Sequence, residues 1–267
     1  MRIATFLLIG LVAFMQIQCT AGKEPTHSSN FNTWVVTSVI SGGIDGRHRA
    51  FSVDNTGTIL FEDRRNKAAA EMKTVDAETL AQMESLLKQL DLPNAKKNSK
   101  EEKPKCCDQL NSYVIVKLDG REYETSNLNL SELQTSNYKR LLSIFGETVS
   151  KNETVLMNKA TELKIKNAKT LFVSVTDTNA RPVWEGAFRR QGESSVFEGE
   201  WKNNETQTIV KDKVEVLLNG QTIKITGKGT GKIEIPKEFE GNWNNYQPGI
   251  ISKPISQNEI NWYARFE

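Results

Sequence analysis

The chain has little of several things that would have named a function at once. Its 267 residues include two histidines, His27 and His48, and three cysteines. That supply excludes a histidine-rich metal centre and a disulfide-dense scaffold. No sign of charge dominates: 35 Lys and Arg stand against 33 Asp and Glu, a net charge of +2. Nucleic-acid binders carry a larger and clustered basic excess, so no nucleic-acid partner is expected. There is no Gly-x-Ser-x-Gly elbow, no His-Glu-x-x-His helix and no dinucleotide fingerprint. We therefore expect no enzyme, no catalytic residue, no cofactor and no metal. Residues 227–232 (GKGTGK) imitate a phosphate loop and fail as one. Thr226 stands where the first glycine belongs, Lys232 is followed by Ile233, and no helix pattern follows.

One long apolar run is present. Met1 and Arg2 precede residues 3–17 (IATFLLIGLVAFMQI), which carry no charge and are too short for a comfortable membrane span. Residues 1–21 read as an export signal. Two endings stay open. Cys19, Thr20 and Ala21 fit cleavage after Ala21. Alternatively Cys19 is the lipidated first residue of a lipoprotein, although Gln18 matches a lipobox poorly. The expected location is extracytoplasmic, secreted or lipid-anchored, with the membrane touched only through a lipid on Cys19. The other two cysteines, Cys106 and Cys107, are neighbours. A bond between them would link no distant elements, so this exported chain folds by its core. Asn-x-Ser/Thr sequons start at Asn129, Asn152 and Asn204.

The length suits two domains of roughly 100–150 residues each. In the first, residues 33–41 (TWVVTSVIS) read as a strand, followed by a glycine-rich bend. Residues 48–53 and 58–63 flank Asp54, Asn55, Thr56 and Gly57, a hairpin turn. Asp76 is the expected N-cap of a helix whose Leu80, Met83, Leu87 and Leu90 share one face, with Pro93 as its stop. Residues 94–105 hold five lysines mixed with Glu101 and Glu102 and read as a solvated loop. The pattern then repeats. Residues 112–118 form a strand, Asp119 and Gly120 a tight turn, and residues 121–126 its partner. Ser131 and Gln134 make a capping box. Leu133, Leu141, Leu142 and Phe145 give a second helix its apolar face. Residues 33–147 are thus expected as an α+β domain, a doubled strand–strand–helix unit in which two helices cover an antiparallel sheet.

The bend is Gly42, Gly43, Ile44, Asp45 and Gly46. Its glycines supply backbone freedom between two strands. A loop held by a sheet is also where a partner makes contact, so these five are candidate partner-binding residues.

Three stretches carry a family resemblance over residues 33–147. These are VVTSVISGGIDGRHRAFSVDNTGTILFEDRR, VDAETLAQMESLLKQLDLP and CCDQLNSYVIVKLDGREYE, completed by a helix near Tyr138 and Phe145. Together they resemble the protealysin inhibitor emfourin family: a strand, a Gly-Gly-x-x-Gly bend, a hairpin, a helix, a strand pair and a second helix. The resemblance implies an inhibitor of thermolysin-like zinc metallopeptidases, with an exported metallopeptidase as partner. This chain departs from the family by its export signal, its lysine-rich insert and its second domain. No contact residue transfers by motif.

Residues 155–267 are expected as an all-β, sandwich-like domain. Short β-rich runs occur at 170–176, 182–188, 195–201, 207–210, 213–218, 221–226, 232–235 and 259–266. Asn219 and Gly220 join two of them as a hairpin. Such spacing suits a sandwich or barrel. Residues 241–254 read as a long Gly/Asn/Pro-rich loop. Four of the five tryptophans lie here: Trp184, Trp201, Trp243 and Trp262. Three fall in strands as core candidates. Trp243 and Tyr246, placed in the loop among asparagines, are the candidate ligand-binding residues, since an indole stacks on a sugar ring while amides bind its hydroxyls. The leading expectation is an exported binding protein, a metallopeptidase inhibitor. The alternatives are a cell-surface adhesion or carbohydrate-binding protein and a structural envelope lipoprotein.

Overall fold

The computed structural model describes residues 30–42, 47–97, 110–177, 181–220, 222–227, 235, 238–243, 250–252 and 261–267. Within them the chain is mostly β, with two α-helices and antiparallel pairing throughout.

The first sheet has six strands: β1 (Trp34–Gly42), β2 (Arg47–Asp54), β3 (Thr58–Asp63), β4 (Ala68–Lys73), β6 (Leu110–Leu118) and β7 (Arg121–Glu124), in the order β4-β3-β2-β1-β6-β7. Alternation decides which face is covered. Trp34 and Val36 on β1, Val53 on β2, and Ile59 and Phe61 on β3 are buried on one face with Val116 of β6. Two helices supply the cover. The first, α1 (Ala77–Leu90), buries Met83, Leu86, Leu87 and Leu90. It starts as expected at Asp76, whose Oδ1 accepts the N–H of Thr79 (2.8 Å) and whose Oδ2 accepts its hydroxyl (2.9 Å). Asp91 ends it in a left-handed conformation, and Pro93 lies in the following 3-10 turn.

Strand β4 was not expected. Alanine has little β propensity, so AAAEMK gives no strand signal. Ala68 and Ala70 nevertheless alternate inward, and the strand pairs with β3 from Thr58↔Lys73 to Asp63↔Ala68. Two short strands, β5 (Lys96–Lys97) and β8 (Leu128–Asn129), pair with each other.

The second helix corrects the expected boundary. Its capping box forms: the Gln134 N–H donates to Ser131 Oγ (3.3 Å) and the Ser131 N–H to Gln134 Oε1 (2.9 Å). Gln134 Nε2 also donates to the carbonyl of Leu90 (2.6 Å), tying the start of this helix to the end of α1. The helix does not stop near 147. As α2 (Glu132–Asn167) it runs into the region read as all-β. Residues 150–154 (SKNET) interrupt its apolar face. Beyond them Leu156, Met157, Ala160 and Ile165 resume at helical spacing and are buried.

Eight further strands follow: β9 (Thr170–Thr176), β10 (Pro182–Arg190), β11 (Val196–Asn203), β12 (Ile209–Asn219), β13 (Thr222–Gly227), β14 (Glu238–Trp243), β15 (Ile250–Ser252) and β16 (Asn261–Phe266). Each pairs with its successor, and β16 pairs with β9, so the strands close into a barrel rather than forming two facing sheets. Eight strands leave an interior that side chains can fill. Here aromatic rings fill it. Phe188 meets Trp201 edge-on (5.1 Å between centroids), Trp201 lies 5.9 Å from Phe239, and Phe239 meets Trp262 at 5.3 Å. Glycine lets the neighbouring strand β10 approach closely at Gly199. A Cβ there would stand 2.0 Å from the carbonyl oxygen of Ala187 and 2.7 Å from Phe188 Cα. The buried residues form two clusters with no member in common, one under the sheet and one in the barrel.

Candidate functional site

The β1–β2 bend leaves the sheet at a well-supported place. β1 is paired along its length on both sides, with β2 from Val35↔Asp54 to Gly42↔Arg47 and with β6 from Trp34↔Leu118 to Gly42↔Leu110. Gly42 is the last residue of β1 and sits at φ 93°, a conformation that glycine adopts without a Cβ penalty. Gly43, Ile44, Asp45 and Gly46 lie outside the described residues. Just before the bend, Ile40 is exposed.

Below the bend, β2 carries a buried ion pair. Arg49 Nε donates to Asp63 Oδ2 at 3.2 Å, with both side chains shielded from water. Asp63 also accepts from the backbone N–H of Asn66 (2.9 Å) and from its Nδ2 (3.0 Å). A buried carboxylate needs several such donors. The cluster fixes the turn between β3 and β4, where Lys67 holds a left-handed φ of 50°.

The structure divides the expected tryptophan surface. Trp184, Trp201 and Trp262 are buried in the barrel, as their strand positions implied. Trp201 Nε1 donates to Asp212 Oδ2 at 3.2 Å, which satisfies its polar end. Trp243 was expected in a loop; instead it is the last residue of β14 and pairs with Ile251. Tyr246 lies outside the described residues, as do Cys19, Cys106 and Cys107. Two sequon asparagines are engaged within the fold. Asn152 Nδ2 donates to the carbonyl of Thr148 (2.9 Å), and Asn204 Nδ2 donates to the carbonyl of Pro182 (3.0 Å). Asn129 is exposed on β8.

Among the described residues no three of His, Cys, Asp and Glu are grouped to hold a metal ion. Perturbed protonation equilibria concentrate elsewhere. Burial pushes the Tyr138 phenol up, partly offset by its hydrogen bond with Thr125 at 2.6 Å. At the C-terminal end of α2, burial pushes Lys164 down against the attraction of Asp63 and Glu267, and burial also lowers Arg190.

That second region is one the sequence did not reveal. The β3–β4 turn, the end of α2 and the end of β16 together line a cleft of about 630 Å³. Its charged groups are Arg65, Lys67, Lys164, Arg265 and Glu267. They come from three segments of the chain, the first and last of them at 65–67 and 265–267, and no local motif joins them.

No protein-family model matches the chain. A search of curated proteins finds no match either.

Proposed function

We propose that this chain is an exported two-domain binding protein. Its sheet-and-helix domain inhibits thermolysin-like zinc metallopeptidases, with the bend of Gly42, Gly43, Ile44, Asp45 and Gly46 as the contact. One observation carries the reading: the bend joins two strands held in register over eight residue pairs, the first of them also paired with β6. The paired strands fix both ends of that loop, so a partner meets it at a defined place on the sheet. The order strand, bend, hairpin, helix, strand pair, helix, which the resemblance implies, supports it, with β4 added between the hairpin and the first helix. Residues 1–21 direct the chain out of the cytoplasm, to the side where exported peptidases act, with Cys19 either removed or lipidated. The two-domain layout is supported by the two separate buried clusters.

The test is to titrate the purified chain against a thermolysin-like peptidase cleaving a small peptide. We expect inhibition at or below about 1 μM, and a loss of roughly tenfold or more in the Ile44→Asp variant. Undiminished peptide cleavage at that concentration overturns the proposal. So does inhibition that Ile44→Asp leaves unchanged.

A further inference from the structure

We propose that the cleft lined by the β3–β4 turn, the end of α2 and the end of β16 binds a small polyanion, a ligand carrying clustered phosphate or carboxylate groups. Its volume of about 630 Å³ is that of a small-molecule pocket. Four cationic side chains, Arg65, Lys67, Lys164 and Arg265, line it together with one acidic side chain, Glu267.

That acidic side chain is already taken. Glu267 Oε1 accepts from Arg265 Nε at 2.9 Å, and the Arg265 guanidinium lies 5.0 Å from the centre of the Phe172 ring. Arg265 is thus held in place over an aromatic face. Among the described residues the other three cations have no carboxylate partner. Arg65 and Lys67 are exposed at the rim. Lys164 is half-buried, and its ammonium donates to the backbone carbonyl of Asn66. Asp63 and Glu267 attract that ammonium without pairing with it, burial outweighs their attraction, and an incoming anion in contact with it supplies what it lacks.

Two features make the cleft a preformed site. The turn bearing Arg65 and Lys67 is pinned from beneath, because Asn66 is bound through its N–H and its amide to the buried carboxylate of Asp63. The opposite wall is the C-terminal end of α2, whose free carbonyls would ordinarily repel an anion. Two carbonyls at that end are occupied. Arg190 Nη2 donates to Ile165 O (2.7 Å) and Arg190 Nε to Ala168 O (2.6 Å). Part of the repulsion is thus answered by Arg190, which does not line the cleft, and the four cations that do line it are not spent on these carbonyls.

Calorimetric titration of the full chain at low salt, with tripolyphosphate in one arm and citrate in the other, tests the proposal. Binding with a Kd below about 1 mM is expected for at least one probe, weakening as salt is added. The arm that binds more tightly identifies phosphate or carboxylate as the preferred group. Charge reversal at the exposed rim, R65E with K67E, should weaken binding by roughly tenfold or more. The melting temperature should stay within about 2 °C of the parent, since both side chains are exposed. Lys164→Gln should weaken binding similarly. Absence of binding by both probes at about 1 mM overturns the proposal, as does an affinity that R65E with K67E leaves unchanged. The readout is independent of peptidase inhibition, so either proposal can fail alone.

Discussion

Asp119 shows how much a single side chain can fix. It occupies the β6–β7 turn at φ 44°, beside Gly120 at φ 84°, a hairpin geometry that aspartate and glycine tolerate. Its Oδ1 accepts the backbone N–H of Asn32 (3.0 Å) and of Thr33 (2.9 Å), which orients the chain as it starts β1. These hydrogen bonds, that of Thr33 foremost, hold the carboxyl below its ordinary 3.8. Asp76 is lowered in the same way by Thr79 at the start of α1. A carboxyl depressed in the folded state binds protons more readily when unfolded. Its stabilisation is therefore present above the unfolded value and is lost as pH falls through the lower folded value. Urea midpoints should hold steady from neutral pH to about pH 5 and fall below about pH 4. The Asp119→Asn variant should lose stability at neutral pH and show a shallower fall in acid. A fall parallel to that of the parent would show that the Asp119 charge contributes nothing. The turn itself was legible from Asp119 and Gly120. Its tie to Thr33 was not, because 86 residues separate the partners.

At the scale of elements, local chemistry was readable and long-range closure was not. The Asp76 cap and the Ser131–Gln134 capping box involve residues three apart, so sequence alone places them. Strand β4 escaped because its inward residues are Ala68 and Ala70, whose small side chains bury well but give no β signal. The second half of α2 escaped because 150–154 are polar and break the apolar period. The barrel depends on β16 meeting β9, a pairing such as Trp262↔Val175 that no window of sequence contains. Once closed, the barrel makes demands on particular residues. At Gly199 an added methyl meets backbone on β10, which has no rotamer to change, so Gly199→Ala should destabilise by about 3 kcal/mol. Gly146 offers the contrast. It lies within α2 with nothing within 4 Å of an added Cβ, so Gly146→Ala should stabilise by roughly 0.5–1 kcal/mol. Urea denaturation of both variants checks the pair. Equal effects would mean that barrel crowding does not govern Gly199.

At the scale of the molecule, the question is how one helix serves two cores. α2 gives Leu141, Phe145, Leu156, Met157 and Ala160 to the cluster under the sheet, and Ile165 to the cluster in the barrel. Arg190 of β10 bonds the carbonyls of Ile165 and Ala168, so the helix end is fastened to the barrel while its body lies on the sheet. The candidate cleft opens where these attachments meet, which is why its residues come from 65–67, 163–168 and 265–267 and why no single stretch announced it. Two cores without a shared residue should lose their order separately, as the proposed two-domain layout requires. Phe61 and Phe197 are both fully buried, one in each cluster. Truncation of either to alanine should cost about 3–5 kcal/mol. In scanning calorimetry Phe61→Ala should lower one transition and Phe197→Ala the other, each leaving its companion in place. A single transition lowered equally by both substitutions would mean that α2 couples the cores into one cooperative unit, and the two-domain proposal would fall with it.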